Sequence, residues 1–169
     1  MIFHLLITSL FIQTTLMVSS PAFKANESIP VKYTCEGSSI NPPLEIGNLP
    51  KEAKSLVLIM DDPDAPKGTF DHWIMWNIPV QAKIDENSVP GKEGKNGVNQ
   101  NKYIGPCPPS GVHHYHFRVY AMDGMLELPI ETDKKALIKA MEGHTIAAGE
   151  LIGLYEKKTK SNKLKTEKK

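Results

Sequence analysis

Glycine and proline recur along the whole chain, and the apolar segments between them are short. Both residues interrupt regular structure: proline has no N–H to give a ladder, and glycine favours turns. A chain cut at this spacing reads as an all-β domain. The candidate strands are Thr15–Ser19, Val31–Cys35, Leu44–Ile46, Ser55–Met60, His72–Ile78, Val112–Met122 and Thr145–Tyr155. One helix is predicted after Thr132, which can cap it, with Ala136, Leu137, Ala140 and Met141 on its buried side and Gly143 ending it. One helix beside seven strands is not a βαβ series, so a doubly wound sheet is excluded. No internal repeat is present. Gln81 to Tyr103, rich in Gly, Asn and Lys, reads as a long surface loop.

Two strands alternate in a way that bears on function. Side chains on a pleated strand point to opposite faces with a period of two. In the first strand, His72, Ile74, Trp76 and Ile78 share one face, and Trp73, Met75 and Asn77 the other. In the second, His113, Tyr115, Phe117, Val119 and Ala121 share one face, and His114, His116, Arg118, Tyr120 and Met122 the other. Each strand therefore sets a histidine at the N-terminal end of a largely apolar face, where a pocket can open at the rim of a core. Trp73 and Trp76 read as packing residues.

At 169 residues the length suits one domain, placed at 14–156. The charge is close to balanced at +1 but unevenly spread: Lys157 to Lys169 carries seven Lys and one Glu, leaving 1–156 at −5. A body of that sign offers no basic face for nucleic acid. The tail 157–169 reads as a solvated, disordered end, with an electrostatic tether to acidic lipids or acidic protein as the other reading, so that membrane contact is peripheral at most. Ile2 to Ile12 is mostly apolar and similar to a signal-peptide core, and it is too short to span a bilayer. No Lys or Arg precedes Lys24, and the best small-residue cleavage pattern, Ser20-Pro21-Ala22, falls in the first strand. Two localisations stay open: periplasmic or secreted, with 1–13 as leader, or cytoplasmic.

Three segments carry chemistry. Asp61-Asp62-Pro63-Asp64-Ala65-Pro66 follows an apolar strand, and its prolines force a turn that presents carboxylates at the strand end. Asp71-His72-Trp73 opens another strand. Gly105-Pro106-Cys107-Pro108-Pro109-Ser110-Gly111 is a stiff loop leading into His113-His114-Tyr115, and its backbone N–H groups at Gly105, Cys107 and Gly111 can form an anion-binding concavity. Taken in order, and with Ile29-Pro30-Val31-Lys32-Tyr33-Thr34-Cys35-Glu36-Gly37, Asn41-Pro42-Pro43-Leu44 and Ala148-Gly149-Glu150-Leu151-Ile152-Gly153, these segments resemble the phosphatidylethanolamine-binding protein family, also called Raf kinase inhibitor-like proteins, and most of all its bacterial YbhB/YbcL branch. The resemblance runs from about Ser19 to Tyr155.

The resemblance implies a mainly β fold, a large antiparallel sheet packed on a smaller one with one or two short helices, and a shallow pocket at one end. It implies a site: Asp62 as the pocket acid, His72 and His113 as the pocket histidines, and Gly105, Pro106 and Tyr115 in the wall. It implies a non-catalytic protein with no cofactor and no metal, whose ligand is a small anion such as phosphate or phosphoethanolamine, and whose protein partner would be a kinase or protease. This sequence departs from the family in having His114 where an Arg usually follows the second pocket histidine, and a Lys-rich tail where eukaryotic members have a covering helix. An unpaired carboxylate would repel a bound phosphate, so Asp62 is expected to bond a histidine or share a proton with the ligand.

Rival readings come from the same residues. His114 and His116, two apart on one face, have a spacing that can bind zinc, though no third ligand is identifiable. Cys107 lies near His113 and could serve as a nucleophile, but no Gly-x-Ser-x-Gly elbow is present and the cysteine sits between prolines. An interaction or inhibitor protein with a vestigial pocket is the third. Whether Cys35 and Cys107 pair, and whether the chain forms a homodimer, stay open.

Overall fold

A computed structural model of the chain describes residues 14–158. The leader proposed at 1–13 and nearly all of the Lys-rich tail lie outside the described residues. Among the described residues, nine strands form two sheets: β1 Thr14–Thr15, β2 Met17–Ser19, β3 Leu44–Gly47, β4 Ser55–Asp62, β5 Phe70–Ile78, β6 Lys83–Ile84, β7 Lys92–Glu93, β8 Val112–Met122 and β9 Thr145–Glu156. The large sheet has the order β1-β9-β8-β4-β5-β7 and the small one β2-β3-β6. One α-helix, α1 Lys134–Met141, is joined by a 3-10 turn at Val31–Tyr33. The mainly β architecture of two packed sheets is therefore as expected, apart from β1, which runs parallel to β9.

The centre of the molecule is β4, whose eight residues are all buried. A strand reads as one continuous apolar run when both of its faces are covered. Leu56, Leu58 and Met60 point into the main core, where they meet Phe117, Val119, Leu44, Ile46 and Ile84. Val57 and Ile59 point to the opposite face, packed with Ile74, Trp76, Leu137 and Met141. The first face belongs to the space between the sheets, and the second is roofed by α1. Both tryptophans are fully buried, Trp73 in the first cluster and Trp76 in the second.

Several sequence expectations are corrected. Val31–Cys35 is not a strand: after Pro30 the chain makes a 3-10 turn, with Tyr33 N–H bonded to Pro30 O and both Thr34 N–H and Thr34 Oγ1 to Val31 O. Thr15–Ser19 is not one strand but two, because the chain passes from the large sheet to the small one at Leu16. The helix is capped by Asp133, whose carboxylate accepts from Ala136 N–H at 2.8 Å, while Thr132 is buried and bonds Pro129 O. Leu137 and Met141 are its buried residues; Ala136 is exposed. The segment 81–103 contributes β6 to the small sheet and β7 to the edge of the large one.

The most consequential correction concerns β5, whose alternation breaks twice. Leu56 pairs with Ile78 but Leu58 with Met75, so one residue too many lies between them, next to Asn77 at φ 53°. Ile78 thereby joins the inner core rather than the face of Ile74 and Trp76. At the other end, Met60 pairs with Trp73 and Asp61 with Asp71. His72 is the extra residue of that bulge. Bulges re-aim a side chain without changing the rest of the ladder, and here the bulge takes His72 off the Ile74–Trp76 face.

Candidate functional site

The C-terminal end of β4 and the N-terminal ends of β5 and β8 meet at one end of the large sheet, because both neighbours run antiparallel to β4. The loop 104–109 closes this end. Between them lies a cavity of about 220 Å³, lined by Asp62, Ala65, Pro66, Phe70, His72, Ile104, Gly105, Cys107, Pro108, Pro109 and His113. That is below the ~300–1,000 Å³ of pockets for drug-sized ligands, and of a size for a single small group.

Each histidine is held by one ring nitrogen. His113 Nδ1 lies 2.7 Å from Asp62 Oδ2, and both side chains are buried. The other oxygen of Asp62 accepts the Asp64 N–H at 2.9 Å, a bond across the turn that fixes the carboxylate plane. His72 Nδ1 lies 2.7 Å from Ile104 O, and Ile104 N–H donates back to His72 O at 3.1 Å. The imidazole of His72 stands edge-on to Phe70 and Tyr115, with centroids at 4.8 and 5.2 Å. A backbone carbonyl only accepts, so His72 carries its proton on Nδ1. The same holds for His113 facing a carboxylate. In both rings Nε2 is the nitrogen left for the cavity.

Burial holds the His72 imidazolium pKa below its ordinary value, against the Ile104 carbonyl and the carboxylates of Asp62, Asp61 and Asp71, which favour the charged form. His72 is therefore neutral near pH 7, with an accepting Nε2. Burial likewise pushes the Tyr115 hydroxyl up, helped by the Asp62 carboxylate and opposed by the backbone of Cys107.

Of the six residues named from sequence, Asp62, His72, Gly105 and His113 line the cavity together. Pro106 and Tyr115 do not. Pro106 is buried, and Tyr115 is fully buried behind the two histidines, stacked on His113 at 6.5 Å. Its hydroxyl makes no hydrogen bond of good geometry. Gly105 is there for close approach: a Cβ would come within 2.6 Å of Tyr33 O and 2.9 Å of Thr34 C. Its N–H is spent on Ser39 Oγ at 3.0 Å, so it is not a spare donor for an anion. Phe70 and Ile104 were not among the named residues. Ile104 acts through its carbonyl, which leaves no mark in a sequence.

The rival residues lie elsewhere. Asp64 Oδ2 accepts both the backbone N–H of His114 at 2.8 Å and its Nδ1 proton at 2.7 Å, and the imidazole side-chain bond is the main reason the Asp64 carboxyl pKa is lowered. His116 Nδ1 bonds Glu150 at 2.7 Å, and Glu150 also meets Arg118. Asp61 and Asp71 hold Lys134 of α1, each at 2.7 Å. Among the described residues no group of three or more His, Cys, Asp or Glu is placed to hold a metal ion. Cys107 is bonded to Cys35 in a disulfide, which takes up the thiol that a nucleophile would need.

Comparison with known proteins adds three findings. Residues 19–156 match the family model described as phosphatidylethanolamine-binding protein. A UPF0098 protein of Pyrococcus horikoshii is 54% identical over 156 residues, covering 85% of this chain and 78% of that protein. Two crystal structures share the fold. A phosphatidylethanolamine-binding protein homologue from Chlamydia trachomatis has a TM-score of 0.83 at 40% identity, covering 86% of this chain and 99% of its own. YbcL of Escherichia coli, described as a member of the mammalian family, has a TM-score of 0.78 at 25% identity over 85% of this chain and 99% of its own.

Proposed function

This chain belongs to the phosphatidylethanolamine-binding protein family, and from that premise we propose that it is a binding protein whose pocket captures a small phosphate-bearing group without making or breaking a bond in it. The observation that carries the reading is the matched tethering of two imidazoles. Each spends Nδ1 on an internal acceptor and lines a small, largely apolar cavity. Apolar walls lower the local dielectric and strengthen whatever polar contacts a ligand makes.

The proton count follows from the tethers. With Nδ1–H already committed, a ring offers Nε2–H to an anion only as imidazolium. The Asp62 carboxylate is a ready counter-charge for His113 in that form. Neutral His72 is instead an acceptor, matched to the P–OH of a hydrogen phosphate or to an ammonium group such as that of phosphoethanolamine. A phosphate group thus meets one donor and one acceptor. Asp62 does not touch the anion as a free charge, because both its oxygens are engaged.

The test is a titration with phosphate, O-phosphoethanolamine and sulfate, following the imidazole signals of His72 and His113 by NMR. Both signals should move together and saturate, and His72→Ala and His113→Ala should each weaken binding. Asp62→Asn should change phosphate affinity between about pH 5 and 8, where imidazoles titrate. Silence of both signals at millimolar ligand would sink the reading.

A further inference from the structure

The Cys35–Cys107 disulfide stands in the wall of the pocket rather than behind it. Cys107 lines the cavity, and both cysteine residues are exposed to solvent. The bond joins segments 72 residues apart, with Cα atoms 5.4 Å apart. Around it, the stretch 103–107 is fastened to the loop 33–39 by three hydrogen bonds: Tyr103 Oη to Tyr33 O at 2.8 Å, Gly105 N–H to Ser39 Oγ at 3.0 Å, and Cys35 N–H to Pro106 O at 3.1 Å. The same stretch contains Ile104, whose carbonyl orients His72. The covalent tie thus braces the element that sets one of the two ligand-facing imidazoles.

We propose that Cys35–Cys107 is a reversible thiol–disulfide exchange site whose oxidation state sets how well the pocket holds an anion. The inference rests on the phosphate reading above and adds its regulation. Exposed disulfides are the labile class, open to attack by a thiolate. The reactant is a dithiol. One of its thiolates attacks a cysteine sulfur, the S–S bond breaks, and the second cysteine leaves as a thiolate that takes a proton. The other thiol of the reductant then attacks the mixed disulfide and releases the first cysteine. Two electrons and two protons pass to the protein, and the reductant ends as a cyclic disulfide.

Reduction leaves the three hydrogen bonds and the buried core in place, so the fold persists. It removes the brace on a loop whose prolines otherwise move as a stiff unit. The fraction of molecules with Ile104 and His72 in the binding arrangement falls, and apparent affinity falls by the same factor. A drop of that fraction to roughly one-tenth weakens phosphate binding about tenfold.

The experiment compares phosphate and sulfate binding by the oxidised protein, the protein reduced with dithiothreitol, and the Cys35→Ser/Cys107→Ser double variant. Thiol counts and far-UV circular dichroism verify state and fold. The expected result is reduction without denaturant, about tenfold weaker binding in the reduced protein and in the double variant, displacement of the His72 imidazole signal on reduction, and recovery on reoxidation. Equal affinities in the oxidised and reduced forms overturn this proposal and leave the pocket reading standing. A disulfide that resists the dithiol until the protein is unfolded also overturns it. Failure of the oxidised protein itself to bind either anion overturns both readings together.

Discussion

His113 and His114 are neighbours on β8, and each gives its Nδ1 proton to an aspartate, Asp62 at the end of β4 and Asp64 in the turn after it, at the same 2.7 Å. The pleat sends them to opposite faces. The His113–Asp62 pair has side chains 8% and 5% exposed, and the His114–Asp64 pair 50% and 41%. Identical chemistry at identical distance is thus placed in two solvents. In water the second pair competes with hydration and is worth little. In the cavity wall the first cannot be lost without leaving a buried polar group unpaired. The outer pair fastens the turn to the start of β8, whereas the inner one sets the tautomer and aim of a ligand-facing ring.

Four experiments can break or sharpen that contrast. The largest difference is expected in binding: His113→Ala removes a charge-assisted contact worth about 1.5–3 kcal/mol, so sulfate affinity should fall about tenfold or more, while His114→Ala should leave it within about twofold. Isothermal titration calorimetry of the two variants decides this, and equal losses would erase the distinction. Stability comes next. Asp62→Ala should cost about 1–3 kcal/mol, a melting-temperature fall of roughly 3–10 °C. Asp64→Ala should cost no more than about 1 kcal/mol, since an exposed pair is screened, and still less in high salt. Calorimetric melts at low and high salt separate the two.

The third experiment uses pH. His72 is buried, with its pKa held below 6.5. The unfolded chain therefore takes up protons first as pH falls from that value, and the free protein should lose stability over that range. Bound sulfate, which does not itself titrate there, favours imidazolium, so its affinity should rise as pH falls over the same range. A His72→Phe variant should lose the stability slope. The smallest effect lies lower. The Asp64 carboxyl pKa is lowered from 3.8, so its contribution should be fully present above that value and vanish only as pH falls below it. Asp64→Asn should flatten the stability curve there and leave the near-neutral range unchanged. A change near pH 6 in Asp64→Asn would mean that the outer pair also serves the pocket.

Much of the fold could be read from the chain because its long strands follow simple rules. Val112–Met122 alternates, and Leu56–Met60 is apolar throughout since both faces are covered. The pairing of Asp62 with His113 was within reach because Asp62 precedes Pro63 at a strand end and His113 follows the proline-rich loop 105–111 at a strand start. The rest depends on pairings that no local pattern carries. Val31–Cys35 has strand-like residues, but the N–H groups of Tyr33 and Thr34 turn back to Pro30 O and Val31 O instead of entering a ladder. Ile104 contributes a carbonyl, which every residue has. Cys35 and Cys107 meet only once the loops 33–39 and 103–107 pack. The face of His72 is set by the register of β5 against β4, and strict alternation placed it wrongly.

That register has a consequence for how such a site can be gained or lost. His72 reaches the pocket as a surplus residue, accommodated by an irregularity between Met60 and Asp61 on the facing strand. Its position is written in the number of residues in β5 as much as in their identity. A deletion of one residue there could straighten the strand, keep every buried partner from Trp73 onward, and silence the pocket in a single step. An insertion at the same place in a plain strand could create the histidine's berth without altering any residue of the core. Comparison of related chains by substitution alone would miss both events.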